Sequence, residues 1–174
     1  EPSSTGIDQI VIFPDFQART SDNVCYVDNI TFSSAAALPT GPTIAAPTPT
    51  RPAANVISLF SNAYTNVPVN TWLTNWSVGV LTDLQVASND TKKYSNLDYA
   101  GIEFTGANLI NASSMAYFHL DAWTPNMTAF KIKLVDFGAN AVYAGGDDTE
   151  HELTFTPTTS GWNSYEIALS DFTG

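Results

Sequence analysis

One cysteine in 174 residues removes two structural devices at once. No disulfide framework can form within the chain, and no thiolate cluster can hold a metal. Cys25 stands in Val24-Cys25-Tyr26-Val27, a run of strand formers, which predicts a buried structural thiol rather than a nucleophile. Basic residues are scarce as well. Six Lys and Arg against seventeen Asp and Glu give a net charge of −11 and a pI near 4.1. Such a surface argues against nucleic acid and membrane as partners and suits a neutral ligand or a cation. No apolar run approaches membrane-spanning length, and no leader opens the sequence, so a mature, secreted fragment is expected. A helical hydrophobic period is missing throughout, and so are the Gly-x-Ser-x-Gly elbow, the His-Glu-x-x-His helix and the phosphate loop.

What is present is a set of short apolar runs punctuated by Gly, Pro, Asn, Ser and Thr, the pattern of an all-β chain. Two strand-like runs, Ile7–Phe13 and Val24–Phe32, fall within residues 1–33, too few to bury an apolar face alone. Residues 34–54 are a Pro/Thr/Ala linker of polyproline II character; at about 3.1 Å per residue it can span roughly 60 Å. From Asn55 strands are expected at Val56–Phe60, Trp72–Val78, Asp83–Ala87, Lys92–Tyr94, Ala100–Thr105, Met115–Trp123, Ala129–Val135, Thr149–Phe155 and Trp162–Leu169. That spacing predicts an antiparallel β-sandwich. Phe130, Ile132, Leu134, Ile102 and Phe104 should point inward, and Lys131, Lys133 and Glu103 outward.

The stretch Ser114–Trp123 alternates over its whole length. Ala116, Phe118, Leu120 and Ala122 share one face; Tyr117, His119, Asp121 and Trp123 share the other. Sugar rings pack apolar C–H faces on aromatics and leave hydroxyls for carboxylate and imidazole groups, so the second face is a candidate ligand platform. Tyr99 and Glu103, and Trp162 with Glu166, extend it if their strands share the sheet. The alternative is a satisfied polar network beneath a loop, with Trp123 as sandwich filling. Trp72 and Trp76, spaced i and i+4 on a strand, would share a face near Tyr64 and Tyr94, one of them core and one ligand-facing. The acidic loop Asp147–Glu152 lacks calcium-loop spacing and reads as a solvated turn.

Phe130-Lys-Ile-Lys-Leu-Val-Asp-Phe-Gly138, Gly145-Gly-Asp-Asp-Thr-Glu-His-Glu-Leu-Thr-Phe155, Gly161-Trp-Asn-Ser-Tyr-Glu-Ile-Ala-Leu-Ser-Asp-Phe172 and Val56–Thr65 together resemble a bacterial module family. It is the jelly-roll carbohydrate-binding module, often in tandem, of secreted Bacteroidetes polysaccharide-degrading enzymes, notably family-16 laminarinases. The resemblance covers residues 55–174. It implies that the module closes with strands like Ile7–Phe13 and Tyr26–Phe32, which here precede the linker. Residues 1–33 would then be the tail of a preceding copy that completes the sandwich, within one chain as a circular permutant or between chains as a strand-swapped dimer. The resemblance also implies a structural Ca2+, with Ser61, Asn62 and Tyr64 after the first strand and Asp28 on the closing one as donors.

The reading is therefore a noncatalytic carbohydrate-binding module, with a β-glucan such as laminarin as first ligand and a covalently linked glycoside hydrolase or tandem copies as partners. Affinity is expected at roughly micromolar to millimolar. The alternative is a structural or adhesion sandwich without a sugar site. A glycosidase would need a carboxylate pair such as Asp121 with Glu103 at a set separation, which nothing in the sequence fixes. Trp123→Ala and Tyr117→Ala are the substitutions expected to weaken glycan binding.

Overall fold

The computed structural model describes residues 9–12, 24–32, 37 and 39–172. The chain divides into two units, Glu1–Ala37 and Leu38–Gly174. In the first, the described parts of both expected strands, 9–12 and 24–32, carry no strand assignment; Ile7, Asp8 and Phe13 lie outside the described residues. Cys25 is exposed, not buried, because its run is unpaired and so has no sheet to place the thiol beneath.

The second unit is built of strands, with no α-helix among the described residues. Its strands are β1 (Val78–Val86), β2 (Asn89–Tyr99), β3 (Tyr117–Trp123), β4 (Phe130–Asp136), β5 (Thr149–Phe155) and β6 (Trp162–Ala168). They pair antiparallel as β1–β2, β3–β6 and β4–β5, three two-stranded sheets. Single 3-10 turns stand at Ala53–Asn55, Gly106–Asn108 and Leu169–Phe172.

The β1–β2 hairpin turns on Ala87 and Ser88 alone, both left-handed at φ 48° and 66°. Two positive-φ residues between paired strands make the turn whose twist matches the hairpin, usually an Asn-Gly pair. Without that pair the turn is hard to read in sequence, and the expected short strands Asp83–Ala87 and Lys92–Tyr94 prove to be parts of one long hairpin. At its far end the register slips. Val80 faces Ser95 but Val78 faces Tyr99, so Asn96, Leu97 and Asp98 bulge opposite Gly79. Bulges of this kind re-aim the side chains beside them.

Sheet β3–β6 is in unbroken register from Tyr117↔Ala168 to Trp123↔Trp162. Phe118, Leu120, Tyr165 and buried Ile167 share one face. Tyr165 meets Phe130 and Phe155 with ring centroids at 5.5 and 4.8 Å, which joins this sheet to the first pair of β4–β5, Phe130↔Phe155. The alternation expected for β4 holds: Ile132 is buried while Lys131 and Lys133 are exposed, ion-paired to Glu152 and Glu150 at 2.6 and 2.9 Å. The β4–β5 loop folds on Asp147, whose carboxylate accepts the Ala139 amide at 2.8 Å.

Three strands expected in the second unit are not formed. Val56–Phe60 contributes one bridge, Ser58↔Asn66, and Ala100–Thr105 one, Thr71↔Glu103. Ile102 is accordingly exposed rather than inward, since a single bridge does not impose a two-residue alternation. Trp72–Val78 is a turn up to Ser77. Hydroxyls explain it: Thr71 Oγ1 accepts the Leu73 amide at 3.1 Å, and the Thr74 and Ser77 hydroxyls bond each other at 2.7 Å. Such local bonds offer the backbone an alternative to a ladder.

Candidate functional site

The outward face of β3–β6 gathers Tyr117, His119, Asp121 and Trp123 of β3 with Trp162 and Glu166 of β6. Across the two strands His119 faces Glu166, Asp121 faces Ser164 and Trp123 faces Trp162. Glu166 Oε2 lies 2.9 Å from His119 Nδ1, and His119 Nε2 lies 3.2 Å from Asp121 Oδ2. The Ser164 hydroxyl donates to Asp121 Oδ1. A neutral imidazole donates from one nitrogen only, so His119 satisfies both carboxylates only when both nitrogens carry hydrogen. Ser164 bonds a carboxylate and not the imidazole. The imidazole therefore does not stand on its oxygen, and the set lacks the serine–imidazole–carboxylate order of a nucleophilic triad.

The rest of the network comes from the segment expected to be a free linker. Arg51 Nε donates to Glu166 Oε1 at 3.1 Å, its Nη2 donates to the same oxygen, and its guanidinium carbon lies 5.0 Å from the Tyr117 ring centroid. The Trp162 indole N–H donates to the Ile44 carbonyl at 2.9 Å, and the Tyr64 hydroxyl donates to the Arg51 carbonyl at 2.8 Å. Residues 44–51 thus strap the face at two ends. The Glu166 carboxyl is held below its ordinary value, first by the Arg51 hydrogen bond and then, against some desolvation, by His119.

A second aromatic group stands at the bulged end of the β1–β2 hairpin. Trp76 and Tyr99 are 55% and 49% exposed, with nearly parallel rings (24°) and centroids 6.2 Å apart. The turn at Thr74–Ser77 presents Trp76, and Gly101 makes room for it: a Cβ there would fall 2.3 Å from the indole. The Ser77 hydroxyl accepts the Gly101 amide at 2.9 Å and locks turn and ring support together.

Trp72 goes elsewhere, because turn geometry breaks the same-face relation an i, i+4 strand spacing would give. It packs edge-on against Phe60 at 5.6 Å, and the Lys92 ammonium sits over both rings at 4.6 and 4.7 Å while pairing with Asp83 at 2.8 Å. Tyr94 donates its hydroxyl to the Trp72 carbonyl at 2.7 Å; burial, and secondly Asp83, push its pKa to about 12. Glu103 sits in the bridge to Thr71, away from β3 in the topology.

The oxygen donors expected for a cation are engaged with protein. Asn62 and Asp90 exchange two bonds of 3.2 Å, Ser61 Oγ accepts the Ala63 amide at 3.1 Å, and Tyr64 donates to Arg51. Asp28 belongs to the other unit and accepts the Asn29 amide at 2.7 Å. Asn62 turns its amide N–H toward the nearby carboxylate of Asp90.

Arg51, Ile44, Lys92 and Asp90 were not legible as site residues. The only hint was Arg51 itself, one of six basic residues and placed inside a Pro/Thr run. Compared with protein-family models, curated proteins and solved structures, the chain matches none.

Proposed function

We propose that this chain is a noncatalytic carbohydrate-binding module, centred on Trp76 and Tyr99, that holds a secreted glycoside hydrolase on a polysaccharide. The observation that carries the reading is that aromatic pair, half exposed and held from beneath by Gly101. Exposed aromatic rings suit the apolar C–H faces of sugars, and the mutual packing of Trp76 and Tyr99 holds both rings in place. A β-glucan such as laminarin is the first ligand to try. Affinity electrophoresis in soluble polysaccharides tests the proposal. Retardation by a β-glucan that disappears in Trp76→Ala supports it, and free migration in every glycan removes it.

The same reading gives the fold its closure. Ile10, Val11, Ile12, Val24, Val27, Ile30 and Phe32 are all exposed apolar residues, and a jelly-roll sandwich closed by 7–32, in one chain or between two, would cover them. Light-scattering mass separates the two forms of closure. A structural Ca2+ is the accessory of the reading. Ser61, Asn62, Tyr64 and Asp28 would hold it, and the Asn62–Asp90 pair would have to open. Thermal unfolding in CaCl2 and in EDTA decides it.

A structural spacer is the second reading, favoured by one observation: the Pro/Thr segment lies bonded on Trp162 and Glu166 instead of standing free.

A further inference from the structure

The β3–β6 face is lined by a segment of its own chain, residues 44–51. Three kinds of contact hold it. An indole N–H donates to a main-chain carbonyl, Trp162 to Ile44. A carboxylate takes two nitrogens of a guanidinium, Glu166 from Arg51. An aromatic ring, Tyr117, lies under the same guanidinium. Between the anchors runs Ala45-Ala46-Pro47-Thr48-Pro49-Thr50, free of any turn, bend or ladder. Ala45, Ala46 and Pro49 are half-buried, whereas Pro47, Thr48 and Thr50 are exposed. An extended, proline-rich segment without internal bonds is polyproline II in character, and Pro52 beyond it takes φ −56°, ψ 134°. The anchors are four residues apart on β6, roughly 13 Å, within reach of a seven-residue segment at about 3.1 Å per residue.

We infer that the outward face of β3–β6 is a recognition site for extended Pro/Thr-rich peptides that carry an arginine, occupied here in cis by Ile44–Arg51 and open in trans to the same segment of a second copy. The chemistry selects for this class. A polyproline II strand makes no internal hydrogen bonds, so its carbonyls are free to accept an indole N–H, and it loses little entropy on docking. Arginine adds the planar fork that fits Glu166 on one side and Tyr117 on the other, which a lysine cannot do at once. His119 and Asp121 back the acceptor: His119 holds the second oxygen of Glu166, and Asp121 holds His119. The inference does not depend on sugar binding, because none of its contacts involves Trp76 or Tyr99.

The test uses the full chain and a synthetic peptide of residues 44–52. In wild type the tethered segment competes at an effective concentration of roughly millimolar, so added peptide should bind poorly. Arg51→Ala removes the latch of the cis segment. It should bind the peptide at least about tenfold more tightly than wild type, with saturable shifts centred on the Trp162 indole N–H in NMR. Adding Glu166→Gln to Arg51→Ala should abolish that gain, and a peptide with Lys in place of its arginine should bind several-fold more weakly. If Arg51→Ala does not fold, Arg51→Lys replaces it, with a gain of about threefold expected from the lost fork geometry. A folded latch variant that takes up no peptide, or that binds it equally with and without Glu166, overturns the inference.

Discussion

Two aromatic surfaces of this molecule use the same residue types and come to opposite states. On β3–β6, Tyr117 and Trp162 sit in a network whose guanidinium, indole, imidazole and carboxylates are all engaged, and the chain itself supplies the occupant. At the end of the β1–β2 hairpin, Trp76 and Tyr99 stack on each other and remain half exposed. A third group, Trp72 with Phe60, goes further than the first, for it encloses Lys92, whose side chain is only 12% exposed. Residue type identifies a surface that can bind. Whether a segment of the same chain has reached it first decides what remains free to bind something else.

The largest effect should come from breaking the free surface. Trp76→Ala should lose at least about tenfold in glycan affinity, about 1.4 kcal/mol or more, with folding intact because over half of the side chain is already in water. Tyr117→Ala should cost less than about twofold in glycan affinity while loosening the segment 44–51. Affinity electrophoresis of both variants reads the contrast directly. The opposite ranking would move the sugar site to β3–β6. Gly101→Ala is the subtler break. Its methyl would meet the indole at 2.3 Å and Thr74 Oγ1 at 2.7 Å, so Trp76 must swing out. A several-fold loss of glycan binding is expected, with the Trp162 indole resonance unmoved.

The strands with clean alternation were legible. Met115–Trp123, Ala129–Val135, Thr149–Phe155 and Trp162–Leu169 all appear within two residues of their expected limits, and the inward and outward faces of β4 are as read. What failed has physical causes that sequence period does not report: local and long-range hydrogen bonds, and a left-handed turn. Thr71, Thr74 and Ser77 bond locally and turn an apparent strand into the perch for Trp76. Ala87 and Ser88 form a left-handed turn without glycine, hiding the longest hairpin. Composition made residues 34–54 a linker, and composition cannot show that Ile44 and Arg51 would find Trp162 and Glu166 more than a hundred residues away. The candidate platform was legible as a face, and its occupant was not.

Acid should separate the two surfaces by a smaller amount. Glu166 titrates below the ordinary 4.5 in the folded chain because Arg51, then His119, favours its charged form. A lowered folded value means that its contribution is fully present above pH 4.5 and is lost as pH falls through the depressed value. The Trp162–Ile44 contact should therefore loosen only in that acidic window, seen as a change in the indole resonance, and Glu166→Gln should flatten the profile. Solvent reaches the carboxylate, so the change in global stability should stay small.

The smallest effect belongs to the hairpin turn, and it asks whether the free surface depends on rigidity. Ala87 and Ser88 hold φ of 48° and 66°, where side chains other than Asn and Gly are strained. Ala87→Asn with Ser88→Gly should relieve that strain and stabilise by about 0.5–1 kcal/mol, part of it offset by the freer unfolded chain. The melting temperature should rise by a few degrees. The turn lies at the end of the hairpin remote from Tyr99, so glycan affinity should not move if the platform is preorganised by Gly101 and the Thr74–Ser77 lock. An affinity that rises with the melting temperature would instead show that β2 must be held still for Tyr99 to present its ring, and would extend the platform's support from the turn beneath Trp76 to the whole hairpin.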